Sequence, residues 1–263
     1  MMRLPLFITF LIVVGAGCSD NRHKNTADSS ASAQNVRVAV ASNFAEPAKA
    51  IAEAFDKESG HAVTLAFGST GKHYAQIING APFAIFLAAD IRRPKLLEEE
   101  GIATAGSRFT YAIGKIALWS PDENLVDAEA KVLTEGNFKH IALANPKLAP
   151  YGAAAQTVLE KRRAWKGIRK RFVLGENIAQ TYQFVASGNA QLGFVALSQI
   201  QHPGKPIAGS YFVFDPALYE PIAQQAVLLK DSDVAREFLE FLRGEAALKI
   251  INGFGYHMPG AGK

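Results

Sequence analysis

The residues with the most chemistry to offer lie in A-F-G-S-T-G-K-H-Y-A-Q-I, positions 66–77. This stretch predicts a strand end, a turn of small residues and then a helix. Val63, Leu65 and Phe67 alternate as one face of a strand does. Gly68 and Gly71 let backbone approach a ligand closely. Ser69 or Thr70 suits a helix N-cap, and Tyr74, Ile77 and Ile78 give that helix an apolar side. Unpaired N–H groups and a hydroxyl at a helix start form an anion site. An ordinary capped turn accounts for the same residues. A nucleotide-binding P-loop does not, because that pattern needs Gly, four residues, then Gly-Lys and Ser or Thr. Here position 66 is Ala, and His73 follows Lys72.

The elements around this turn repeat its construction. Residues 36–41 alternate as a strand, and Ser42-Asn43 follow. Phe44, Ala48, Ile51, Ala52 and Phe55 then recur at helical spacing, with Gly60 as the stop. Asn43 and Glu46 are spaced as a capping box, and Pro47 suits a first helical turn. Residues 83–89 read as an apolar strand and 94–100 as a short helix. Residues 109–119 read as one long strand that crosses between lobes. A second series follows: a strand at 140–144, the turn N-P-K-L-A-P-Y-G, a helix at 153–165, a strand at 172–174, the turn G-E-N and a helix at 178–186. Strands at 192–197, 211–214 and 226–229 and helices at 234–242 and 246–251 complete the chain. Strands alternating with helices predict an α/β fold with parallel-rich sheets. In an open parallel sheet, turns that begin helices collect at one edge.

The chain has 263 residues, 49% hydrophobic and 20% charged, enough for two lobes of ordinary size. Arg3 precedes an apolar run over residues 4–17, too short to span a bilayer as a helix, which predicts a signal peptide at 1–17. G-A-G-C ends at Cys18 and resembles the lipobox of bacterial lipoproteins, although Gly15 stands where a branched residue is usual. Plain secretion and a lipid anchor on Cys18 both fit. Residues 18–35 read as a small, polar linker. Cys18 is the only cysteine, which leaves no internal disulfide and no thiolate metal site. Loss of the signal peptide removes Arg3 and takes the net charge from +4 to +3. The basic residues between 161 and 171 lack the aromatic series of a nucleic-acid patch and predict a solvated face. None of the six His shows metal-ligand spacing, and no G-x-S-x-G elbow is present.

Taken in order, V-A-V-A-S-N-F-A, A-F-G-S-T-G-K-H-Y-A-Q-I-I-N-G-A-P-F, F-L-A-A-D, N-P-K-L-A-P-Y-G, G-E-N-I-A-Q and L-G-F-V-A-L-S resemble the molybdate-binding periplasmic proteins of ABC transporters. The likeness covers residues 36–256. It implies the type II periplasmic-binding-protein fold, two α/β lobes joined by two crossover strands. Lobe I would take 36–114 with 225–263, and lobe II 115–224. It implies molybdate, and tungstate with it, as a ligand held between the lobes, with no cofactor and no direct metal ligation. It also implies a monomer outside the cytoplasmic membrane that partners an ABC permease and is no enzyme. Carried over by position, the oxyanion-binding residues are Ser42, Asn43, Thr70, Tyr151 and Ile178, the last two through N–H groups. Thr70 replaces a more usual Ser. Ala196 stands where many members carry a tyrosine hydroxyl, and Asn43 marks a variant group that uses an amide instead. Sulfate or phosphate is the alternative ligand. A donor-only site suits a proton-free dianion, because Ser, Thr, amide and backbone N–H groups all donate.

Overall fold

A computed structural model describes residues 34–136 and 138–257; the signal-peptide, linker and Cys18 readings fall outside them, apart from the last two linker positions. The strands are β1 (Asn35–Ala41), β2 (Ala62–Gly68), β3 (Ile85–Ala88), β4 (Phe109–Gly114), β5 (Ile116–Ser120), β6 (Ile141–Ala144), β7 (Phe172–Gly175), β8 (Leu192–Ala196), β9 (Ser210–Val213) and β10 (Ile222–Leu228). The α-helices are α1 (Ala45–Ser59), α2 (Thr70–Ile78), α3 (Arg92–Glu99), α4 (Val132–Glu135), α5 (Pro150–Lys161), α6 (Trp165–Ile168), α7 (Ile178–Ala186), α8 (Leu197–Ile200), α9 (Asp233–Arg243) and α10 (Glu245–Gly253).

Two five-stranded sheets result, in the orders β2-β1-β3-β10-β4 and β7-β6-β8-β5-β9. The α/β class expected from the alternation holds, and both sheets are mixed. β1 runs parallel to β2 and β3, while β10 is antiparallel to β3 and β4. β6 runs parallel to β7 and β8, while β5 is antiparallel to β8 and β9. The stretch expected as one strand over 109–119 is two, broken at Lys115, and each half joins a different sheet. Periodicity could not show this break, since both halves are apolar. The chain returns to the first sheet with β10, whose first residue Ile222 pairs with Gly114.

Apolar strands occupy the middle of each sheet. β3, β6 and β8 are buried at every residue, as strands covered on both faces must be. β2 is an edge strand, so Phe67 is 41% exposed instead of packed with Val63 and Leu65. α9 buries Val234, Ala235, Phe238, Leu239 and Leu242, one stripe at helical spacing. Phe238 meets Phe55 of α1 edge-on at 5.2 Å. Burying such a side chain contributes roughly 1.5–3 kcal/mol.

The parallel registers decide where the helix starts lie. Ala41 pairs with Gly68 and Val40 with Leu87, so the residues after β1, β2 and β3 share one edge. Ala144 pairs with Gly175, which brings the turns after β6 and β7 together in the second sheet.

Candidate functional site

One small cavity is lined by Ala41, Ser42, Asn43, Gly68, Ser69, Thr70, Ala89, Ala149, Pro150, Tyr151 and Ile178. The five positions Ser42, Asn43, Thr70, Tyr151 and Ile178 therefore meet at one place, drawn from both sheets. No lining residue carries a charge. Ala196 does not line the cavity; it is buried, and its N–H donates to Gln199 Oε1 at 2.9 Å.

The N–H groups of the first helical residues can be accounted for one by one. In an α-helix the first four have no intrahelical acceptor. In α2 the cap is Ser69, whose Oγ accepts from Lys72 N; His73 N donates to Ser69 O, and Gly71 N donates to Leu148 O. Thr70 N is left. In α7 the cap is Asn177, whose Oδ1 accepts from Gln180 N, while Thr181 N donates to Asn177 O and Ala179 N to Ser42 Oγ. Ile178 N is left. In α5 the first residue is Pro150, which has no N–H, and Gly152 N and Ala153 N donate to Ala149 O. Tyr151 N is left. Among the first three residues of each helix, one N–H thus has no acceptor among the described residues, and each belongs to a residue at most 3% exposed that lines the cavity. Buried donors without partners are rare because each costs desolvation energy.

The two hydroxyls are oriented to the same end. Thr70 Oγ1 accepts from Ala89 N at 3.1 Å, and Ser42 Oγ accepts from Ala179 N at a long 3.4 Å. A hydroxyl whose oxygen already accepts has its proton left to give.

Asn43 departs from both expectations. No capping box forms: a 3-10 turn over Ser42–Phe44 comes first, α1 starts after Phe44 without a side-chain cap, and Glu46 pairs with Lys49 at 2.7 Å. Nor is its amide a donor toward the cavity. Asn43 Nδ2 donates to Gln224 Oε1 and to Tyr256 Oη, each at 2.8 Å, so both amide hydrogens are engaged in the interior. Asn43 is 3% exposed, and a buried amide takes partners wherever they lie.

Those partners form a polar layer that the sequence reading missed. Gln224 Nε2 donates to Tyr151 Oη at 3.3 Å, and Tyr111 Oη lies 3.0 Å from Gln224 Oε1. Ser198 Oγ and Tyr256 Oη each lie 2.9 Å from the Asn43 carbonyl oxygen. Tyr151's ring is thus part of this layer. Burial pushes the Tyr256 phenol up to about 12 and raises Tyr111 and Tyr151 well above the usual tyrosine range. All three stay protonated and able to donate at neutral pH. A glutamine within β10 and a tyrosine near the C-terminus carry no local motif, so only tertiary contact reveals them.

Among the described residues no group of three or more His, Cys, Asp or Glu could hold a metal ion, and no helix is long and apolar enough to cross a membrane. Residues 36–257 match the model of the bacterial extracellular solute-binding protein family. The molybdate-binding protein ModA of Azotobacter vinelandii is 51% identical over 229 residues, 86% of this chain and 91% of that protein. ModA of Rhodobacter capsulatus is 48% identical over 86% of this chain and 89% of its own length. The solved Azotobacter vinelandii periplasmic molybdate-binding protein superposes with a TM-score of 0.83 at 42% identity, covering 85% of this chain and 99% of that one. A family match across nearly the whole described chain, with half the residues shared with two ModA proteins, places this chain in the bacterial extracellular solute-binding protein family, in its ModA group.

Proposed function

We propose that this protein captures molybdate, and tungstate with it, outside the cytoplasmic membrane and delivers the ion to an ABC permease. The observation that carries this reading is the set of three buried N–H groups, of Thr70, Tyr151 and Ile178, that find no acceptor among the described residues and line one cavity. With the Ser42 and Thr70 hydroxyls they offer five donors. A proton-free tetrahedral dianion accepts at all four oxygens and needs no acceptor in return. Charge-assisted hydrogen bonds contribute roughly 1.5–3 kcal/mol each, so five can offset desolvation of the ion. Helix starts add partial positive charge without a counter-ion. Protonated phosphate fits poorly, because its O–H finds no acceptor. The ModA relatives give the ion its identity, since donors alone do not separate molybdate from sulfate.

The role is binding rather than catalysis, with no cofactor, and a monomer suffices because the donors all come from one chain. The halves act as lobes, 36–114 with the C-terminal return and 115 to about 224, that close on the ion. A signal peptide at 1–17 and either secretion or lipid attachment at Cys18 bring the chain outside. A thermal-shift panel of molybdate, tungstate, sulfate and phosphate on the mature protein tests the reading. A ligand bound only by the folded state raises the melting temperature by mass action. Shifts with molybdate and tungstate alone are expected; a shift with sulfate alone, or none, overturns the assignment.

A further inference from the structure

Two residues of the G-S-T-G-K turn reach across to the opposite half instead of joining the donor set. Gly71 N, the second N–H of α2, is directed across the cleft and donates to Leu148 O at 2.9 Å. Lys72 Nζ also crosses, to Glu176 Oε1 at 2.8 Å. Both acceptors lie in the two anion turns of the second half. Leu148 stands three residues before Tyr151, and Glu176 two before Ile178. A Cβ on Gly71 would come within 2.9 Å of Leu148 O and 3.2 Å of Leu148 Cα, both backbone atoms, so a side chain there requires backbone at this contact to shift.

We propose that Gly71 and Lys72 are positioning residues: the first turn of α2 clasps both anion turns of the opposite half, and this clasp sets the release rate of the ion without touching it. This role presupposes the oxyanion binding proposed above. It differs from steering, the other task open to a lysine near an anion site. Steering acts on association and uses Lys72 alone. A clasp acts on dissociation and uses Lys72 and Glu176 equally. The pair is about half exposed on both sides, 52% and 44%, so its effect is modest and sensitive to salt.

The test is the association and dissociation of radiolabelled molybdate on the mature protein, at low and high salt. Lys72→Met and Glu176→Gln are each expected to raise the dissociation rate about two- to fivefold, with no further loss in the double variant. The swap K72E/E176K is expected to restore it to within about twofold. High salt should speed release from the wild type and not from the neutralised variants. Gly71→Ala should speed release about tenfold or more with association unchanged and the ligand-free melting temperature held. Wild-type dissociation rates in both neutralised variants overturn the clasp. So does slower association in Lys72→Met with faster association in Glu176→Gln, which is steering. A wild type that binds no molybdate overturns the functional reading and the clasp together.

Discussion

The starts of α2 and α7 are the same device built twice, once in each half. Each follows a parallel edge strand. Each begins with a cap whose side-chain oxygen accepts the N–H three residues on, from Lys72 to Ser69 and from Gln180 to Asn177. Each presents its first helical N–H to the cavity. Each packs a buried polar side chain at the fourth helical position, His73 or Thr181, beneath a strand-end glycine. A Cβ on Gly68 would come 2.9 Å from His73 Nε2, and one on Gly175 2.5 Å from Thr181 Oγ1. The difference lies in side chains. α2 adds the Thr70 hydroxyl and a titratable imidazole; α7 adds the apolar Ile178. The shared part is backbone, so the second half can contribute donors while its sequence shows only Ile.

Breaking the backbone donor should have the largest effect. Ile178 is the first residue of α7, where proline is tolerated, and Asn177 before it is already extended. Ile178→Pro therefore deletes one N–H while keeping the helix. Affinity for molybdate by calorimetry should fall about 100-fold, within the range of one charge-assisted hydrogen bond. Ile178→Val, which keeps the N–H, should bind within a few-fold of wild type; equal binding by both variants removes Ile178 from the donor set.

Breaking the side-chain donor comes next. Thr70→Val should weaken binding by about tenfold or more and also lower stability by about 1–3 kcal/mol, because Ala89 N loses its acceptor. Thr70→Ser should restore both. Unchanged affinity in Thr70→Val with stability lost would leave the hydroxyl as a structural acceptor only.

The smallest effect separates the two turns by pH. Burial lowers the His73 pKa, with hydrogen bonds to Gln76 and Val40 opposing it. The unfolded chain then binds more protons than the folded one below about pH 6.5, so stability falls as pH drops through that range and is unaffected above it. Thr181 cannot titrate. His73→Gln should flatten the fall in melting temperature between pH 7 and 5 by ~2 °C, measured by calorimetry. An identical pH profile would place the acid sensitivity elsewhere.

Much of this was legible from local pattern. α7 begins and ends where the sequence reading places it after the turn G-E-N, at Ile178 and Ala186. α5 begins at Pro150 instead of residue 153, because proline at a first helical turn opens a helix as readily as it sits in a loop. The capping box at Asn43 and Glu46 failed for a different reason. Its spacing was right, but a 3-10 turn over Ser42–Phe44 moves the start of α1 past Asn43, whose amide points inward to Gln224 and Tyr256.

By itself the sequence determined the alternation of strands and helices, the small polar turns at the strand ends and, through ordered motifs, the family. Each of these is written in contacts a few residues long. Which N–H groups would be left without acceptors, which amide would turn inward to Gln224 and Tyr256, and which residues of one turn would clasp the opposite half were decided only by the tertiary structure. A hydrogen bond is made by whichever donor and acceptor the packed chain brings within 3 Å, and at separations such as the 181 residues between Asn43 and Gln224 no local pattern records that meeting.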